Sequence, residues 1–464
     1  MNPLSGKLPL ALAGILLLSG CTTAYQKNKF DDFDKALVEG RSLDALTIAE
    51  QHSGLDDAGK SDDLLWSLQA ASMMRQEKIY ARSNSLFDQA EHGMKDEDTK
   101  HVLMQGVELA GSMLVNDSIS SYTQTQYDGV MLNTYKALNF MAQGDYSNAR
   151  IEWNRAEDRQ RRAAEHFASK IAAQKEELAK EEEKVDKDNV NRTLEAADPL
   201  LAQQGVDLSE WQAYDGYVNP FATYMHGLYF MLKAQDKSDY SKAHASFKRV
   251  YGLTKHADVK TDMNMANALR RGQSIERQKP TVWVLFENGL GSKKEEFRID
   301  LPLFVFTSNV SYSGIALPKL VERQSAFSNL QMGPVKTRPL ASMDRIIQAE
   351  FKTEFPYILS REVIRATLKT VAQKQLQDQN QLLGLAAGLT QAATTGADIR
   401  HWSALPKEWQ LARVQRPSNG KLDIKVAELD QPLNVALDPE SRFHLVYVKA
   451  TSPMQAPQVE VMNL

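Results

Sequence analysis

The sequence predicts a multidomain chain: an all-α helix-turn-helix solenoid followed by an α+β domain with a mostly antiparallel sheet. Three observations predict it. From Tyr25 to about Arg277 the chain is almost free of Pro, rich in Ala, Leu, Met, Lys and Glu, and spaces its apolar residues by three and four. Within that stretch one packing pattern recurs: Tyr80, Ser83, Phe87, Ala90, then Tyr146, Ala149, Trp153, Ala156, then Tyr240, Ala243, Phe247, Val250. Beyond Pro280 the apolar period shortens to that of strands.

Each element follows from its residues. In the recurring pattern a small residue lets a second helix approach the first, the aromatic fills the groove between them, and the last position packs on the next unit, as stacked helix pairs require. Copies one and two lie 66 residues apart, so His101 to Gln126 has room for a degenerate unit. An ordinary helical bundle that repeats a packing theme is the alternative. After the central copy, a charged helical extension is expected at about 155–200, as a long exposed helix or a short hairpin. Phe167, Ile171, Leu178 and Val185 follow a partial heptad interrupted by Gln174 and Glu181. It reads either as an arm that pairs with a partner or as a solvated helix held by charge pairs one turn apart. Asn219-Pro220 restarts the helices and Gln278-Lys279-Pro280 ends them.

In residues 278–464, Thr281 to Phe286 reads as a buried strand, Glu287 to Ser292 as a turn, and Phe297, Ile299 and Leu301 as its hairpin partner. Further strands are expected at Gln410–Val414, Lys421–Val426, Leu433–Leu437 and Arg442–Val448. Between them lies a helical block, Ser342 to Phe355 and Ser360 to about Gln391, split by Pro356.

The N-terminus carries a different kind of signal. Residues 1–20 hold one charge, Lys7, then an apolar run from Leu8 to Leu18 that is too short to span a bilayer and suits a cleavable export signal. Leu18-Ser19-Gly20-Cys21 matches the lipobox of bacterial lipoproteins, and Cys21 is the only Cys in the 464 residues. Cys21 is therefore expected to carry lipid, including palmitate, with residues 21–30 as a linker and residues 31–277 as the solenoid. By resemblance to sorted lipoproteins, Thr22 in place of Asp implies transfer to the outer membrane, with the body expected to face the periplasm. Cleavage leaves 54 Lys and Arg against 59 Asp and Glu. That balance does not favour nucleic acid as a partner.

Catalytic and cofactor signatures are missing. There is no G-x-S-x-G, H-E-x-x-H or Walker A loop, the nine His form no spaced ligand pair, and neither a metal nor a cofactor is expected. Gly289-Leu290-Gly291-Ser292-Lys293 has a superficial phosphate-loop look, which a hairpin turn explains better. One polar cluster stands out: Asp398, Arg400, His401 and Trp402, in a segment running to Pro406. It reads either as a proton-transfer group or as a loop staple in which Trp402 plugs the core. Gly384 and Gly388 mark a small-residue helix, Leu382 to Ala393, that reads either as a contact for lipid or another helix or as close packing against the sheet. Arg361, Arg365 and Lys369 form a basic stripe that reads either as a site for an acidic partner or phospholipid headgroups or, as expected, a solvated face.

The central copy resembles a tetratricopeptide repeat, with small Ala137, aromatic Phe140, the turn Gly144-Asp145-Tyr146, then Ala149, Trp153 and Ala156. The first copy has Ala71 and Met74 in the corresponding places, and the third matches through Gly227 and Phe230 when four residues are inserted before Tyr240. With the lipobox, Asn219-Pro220-Phe221, Pro356 to Arg361 and Ala397 to Pro406, the mature chain resembles a family of uncharacterised proteobacterial outer-membrane lipoproteins with tetratricopeptide-like N-terminal helices. The resemblance implies an exported protein and a chromosomal association with lipoproteins that activate penicillin-binding proteins, hence a link to cell-wall synthesis. The expectation is a non-enzymatic, lipid-anchored scaffold or adaptor whose concave groove meets an envelope protein. The rivals are an envelope enzyme acting on peptidoglycan or a glycan through Glu287 or Asp398, and a lipid-handling or secretion accessory protein.

Overall fold

The structure is a computed structural model, and it describes residues 28–104, 122–183, 185–208, 213–214, 218–306, 309–379 and 396–464. The expected signal segment, Cys21, the stretch 105–121 and the small-residue helix Leu382–Ala393 lie outside the described residues.

Helices fill the first half. Residues 28–38 are helical (α1), followed by α2 (Ser42–His52), α3 (Leu64–Gln76), α4 (Tyr80–Met104), α5 (Gln126–Ala142), α6 (Tyr146–Glu182), α7 (Lys187–Gln203), α8 (Pro220–Leu232), α9 (Lys237–Thr254) and α10 (Ala257–Arg270). The starts of α3, α5, α7, α8 and α9 are set by short polar side chains that accept from the unpaired amides of the first turn. Asp63 takes the Trp66 amide at 2.9 Å, and Thr125 and Asp128 form a reciprocal capping box. Asn219 accepts from Phe221 and Ala222, with Pro220 at the first helical position, where no amide is needed. Among the described residues no helix is long and apolar enough to cross a membrane.

The second half holds three sheets rather than the single one expected. Five strands run in the order β11 (Gln458–Asn463), β10 (Phe443–Ala450), β1 (Thr281–Asn288), β7 (Glu408–Gln415), β6 (Arg338–Ser342), antiparallel except for the β1–β10 pair. A second sheet runs β5 (Val335–Lys336), β4 (Leu330–Met332), β8 (Lys421–Val426), β9 (Leu433–Ala436), and β2 (Lys293–Phe306) pairs only with β3 (Asn309–Val321). The expected β1–β2 hairpin is thus absent. All eight β1 residues are buried, and a strand covered on both faces belongs in the middle of a sheet, here between β10 and β7. Pro356 does not split the helical block either: α11 runs unbroken from Met343 to Gln379. The lost backbone bond is offset because Phe351, Phe355, Leu359 and Val363 are buried in one core on both sides of the proline.

The cores explain how these parts sit together. Trp283, Leu285, Leu445, Tyr447 and Trp409, from one face of the five-stranded sheet, share a continuous core with Trp66, Tyr135 and Phe221 of the helices. The change of secondary structure near 277–278 therefore leaves the core unbroken. Val282, Val284, Phe286, Val446 and Val448, from the opposite face, pack with Leu422, Ile424 and Val435 of the four-stranded sheet. A third core joins α7, α11 and the β2–β3 pair through Val190, Leu201, Phe297, Leu301 and Phe355. The expected charged extension is accordingly two helices. α6 continues to Glu182, and α7 returns with its apolar side spent on β2 and α11, with Leu178 and Val185 packed against the same core.

Candidate functional site

The recurring pattern places its residues at helix contacts. Phe87, Ala90, Ala149, Trp153, Ala156, Ala243 and Phe247 are all buried. Ser83 donates to Ala71 O at 2.7 Å, Trp153 Nε1 points at the Met141 sulfur at 3.3 Å, and Gly227 lies so close to Phe247 that a Cβ would meet its ring at 2.9 Å. The tyrosines stand at helix starts. Tyr80 bonds Glu460 and Tyr146 bonds Asn463 O, both on β11, while Tyr240 packs against the main core.

The face of α3, α5 and α8 is covered by the chain itself. Trp402, 2% exposed, donates to Ser72 Oγ at 2.9 Å and meets Tyr135 edge-on and Phe87 at a tilt. Gln69 bridges His401 O and the Ala404 amide at 3.0 Å each. Phe221 stacks on Trp409 at 4.3 Å, and Tyr224 and Trp283 both donate to the buried Asp262. Burial raises the Asp262 carboxyl to about 6, although Arg413 beside it works the other way.

The four cluster residues find different partners. Arg400 grips Asp398 through two nitrogens at 2.8 and 2.7 Å; burial alone would raise the Asp398 carboxyl, and this guanidinium holds it below the usual range instead. His401 shares Nδ1 with Ile399 O at 2.8 Å, and its buried Nε2 meets no hydrogen-bonding atom. Burial brings its imidazole down to about 4. Glu287 is a strand residue held by Tyr447, by Tyr135 at 3.4 Å and by Lys449 at 3.0 Å. Burial opposes its charge, but Lys449 and Arg75 more than reverse that. The glycine turn is likewise occupied. The amides of Gly289, Gly291 and Ser292 donate to Ala450 O, Leu405 O and Asp344, which leaves no cradle for a phosphate. The basic stripe is not solvated as expected: Arg365 is buried and pairs with Glu362, and burial brings Arg361 down to about 10.

An open cleft of about 1130 Å³ lies instead along the outer side of α6, between α4 and α9. Its lining holds Arg155, Arg159, Arg161 and Arg162 from α6, Lys95 from α4, and Lys242 and Arg249 from α9, against Glu91, Glu157 and Asp158. The carboxylates are shared. Glu91 faces Lys136, Arg159 and Arg155; burial opposes its charge, yet Lys136 and Arg159 bring its carboxyl down to about 2. Asp158 holds both Arg161 and Arg162. His226 also lines the cleft, with Nδ1 on Ser246 Oγ at 2.9 Å, and burial brings its imidazole down to about 3. A chain with net charge -4 therefore concentrates cations on one surface. Among the described residues no group of three or more His, Cys, Asp or Glu could hold a metal ion. Sequence reasoning passed over this site because its residues are the charged side of a helix, a pattern that solvated helices share. No protein-family model, curated protein or solved structure matches the chain.

Proposed function

We propose that this chain is a lipid-anchored adaptor of the cell envelope, tethered to the outer membrane through Cys21 and facing the periplasm, which holds a protein partner against its helices. In this reading the helix pairs stack as a tetratricopeptide-like solenoid. The partner docks on the outer side of α6, because the face of α3, α5 and α8 is taken by the chain's own sheet. The carrying observation is the cation-lined cleft, a surface with an excess of charge that the fold leaves open. Against the enzyme reading, Glu287 is buried and Asp398 half-buried, both with their charges already paired, and neither they nor His401 line the cleft. The link to cell-wall synthesis rests on the family resemblance.

The test is a photo-crosslinking amino acid at Asn154 and at Ala245, both in the cleft, in the native lipoprotein in intact cells. The same envelope protein should be captured from both positions and lost from an equivalent position on the four-stranded sheet, such as Asp423. A cell-wall synthase or its activator would give the pathway. No reproducible capture from either cleft position sinks the adaptor reading.

A further inference from the structure

We infer that the occupant of the cleft is an acidic peptide segment with an apolar side chain at one end, lying along α6 with its carboxylates on Arg161, Arg162 and Arg249 and its apolar group on Ile151. This rests on the adaptor reading and adds the chemistry of what is held. Three observations carry it. First, the cations exceed the carboxylates that serve them: Asp158 holds both Arg161 and Arg162, Glu91 and Glu152 are shared by Lys136 and Arg155 with Arg159 also on Glu91, Asp88 adds to Lys136, Asp239 serves both Arg150 and Lys242, and Arg249 has Glu157. Second, these pairs are exchangeable. The Arg161 and Arg162 side chains are 75% and 58% exposed, so their local pairs are wet and contribute little, and an arriving carboxylate can take the planar fork two bonds at a time. Third, the cleft contains an apolar anchor: Ile151 is 48% exposed, one of few large hydrophobic side chains left open among the described residues.

Ile151, Arg155, Asp158 and Arg162 lie at i, i+4, i+7 and i+11, one stripe along α6. At about 1.5 Å per residue the stripe is about 16 Å long, the reach of roughly five extended residues. A peptide also fits better than a phosphate polymer. A uniformly charged chain has no use for Ile151 and is repelled by Glu157 and Asp158, whereas a peptide can place neutral residues opposite them and acids opposite the arginines.

The test uses the full-length lipoprotein in detergent and two short fluorescent peptides, one of Glu and Asp interspersed with Leu, the other with Gln and Asn in the acidic positions, read by anisotropy, with inorganic polyphosphate as a third probe. The acidic peptide is expected to bind and to weaken as salt rises. Combined Arg161→Glu, Arg162→Glu and Arg249→Glu should lower its affinity at least about tenfold. Ile151→Ser should lower it severalfold, and Lys425→Glu on the exposed side of β8 should leave it unchanged. The milder pair Arg161→Gln and Arg162→Gln repeats the test should charge reversal disturb the helix. Equal binding of both peptides, binding indifferent to the arginines, or binding of polyphosphate alone overturns the inference. Equal binding that is still lost with Ile151→Ser would leave the adaptor reading standing on its crosslinks. Acidic-peptide binding without any crosslink in cells would sink the adaptor reading alone.

Discussion

Replacing Trp402 with Ala should be among the most damaging single changes in this protein. The side chain is 2% exposed, its ring meets Tyr135 and Phe87, and its Nε1 donates to Ser72. A buried Trp removes about 150–250 Å² from water, which at about 25 cal/mol per Å² is about 4–6 kcal/mol. Partial collapse of the surroundings brings the expected loss to about 3–5 kcal/mol. Trp402→Phe keeps a ring in the site and loses the bond to Ser72, whose hydroxyl still donates to Leu68 O, so about 1–2 kcal/mol is expected. Guanidinium unfolding followed by far-UV circular dichroism measures both. Because Trp402 joins the helices to the β1–β7 side of the core, Trp402→Ala should lower the midpoint of helix and sheet signals together. An unchanged midpoint for Trp402→Ala, or equal losses for the two variants, would refute the assignment of this segment as a structural plug.

Acid should weaken the fold through its histidines. Burial holds His401 and His226 at about 4 and about 3, below the 6.5 of a free imidazole, so the stability they contribute is complete above pH 6.5 and falls as pH drops toward those values, by up to about 1.4 kcal/mol per pH unit for each. His401→Phe should flatten the slope between pH 6.5 and 4.5 in a urea titration; an unchanged slope counts against the burial argument. Asp262, held at about 6, works in the opposite sense. Its contribution is greatest below pH 4 and is lost as pH rises through 6, so Asp262→Asn should steepen the net acid loss over pH 4 to 6, and a shallower slope would reject it. Gly227→Ala places a methyl 2.9 Å from the fully buried Phe247 ring and should cost about 1–3 kcal/mol despite the better helix propensity of Ala; adding Phe247→Leu should recover part of it, and additive losses would show that the close approach is not the cause. Cys21→Ser should abolish incorporation of labelled palmitate and free the protein from the membrane fraction. Retained label would place the lipid elsewhere.

What was legible in the sequence divides by the range of the interactions that decide it. The starts of α4, α6 and α9 and the packing of Phe87, Trp153 and Phe247 are local matters of spacing and small residues, and they could be read. So could β7, β8, β9 and β10 to within a few residues, from alternation. The pairing of β1 could not, because its partners β7 and β10 lie more than a hundred residues away and only the burial of both its faces hinted at a central position. β6 and β11 are edge strands of five and six residues, too short for their alternation to stand out, and β3 contains Gly314 and Pro318, which read as interruptions. Trp402 could be offered as a plug, but its hole is formed by Ser72, Phe87 and Tyr135 from three other helices, a juxtaposition no spacing encodes. The cleft was missed for the same reason, since Arg162 and Arg249 come from helices whose relative placement only the fold supplies.

The way the two halves meet decides which surface is left for a partner. β11 is an edge strand, and an uncovered edge invites pairing with other chains. Here helix starts cover it: Lys78 bonds Val459 O at 3.0 Å, Tyr80 reaches Glu460 and Tyr146 reaches Asn463 O. The same docking carries the sheet's aromatic face onto α3, α5 and α8, where Arg75 lies 5.3 Å from the ring centres of both Tyr135 and Tyr447 and bonds Asn139. Edge and face are thus closed by one arrangement, and opening the face to admit a partner would uncover the edge as well and strip Glu287 of its companions Tyr135 and Arg75. That coupled cost makes the repeat face a poor place for reversible recognition. The outer side of α6 carries no such cost at Arg161 and Arg162, which are wet and share Asp158, so a ligand there displaces only surface ion pairs and water.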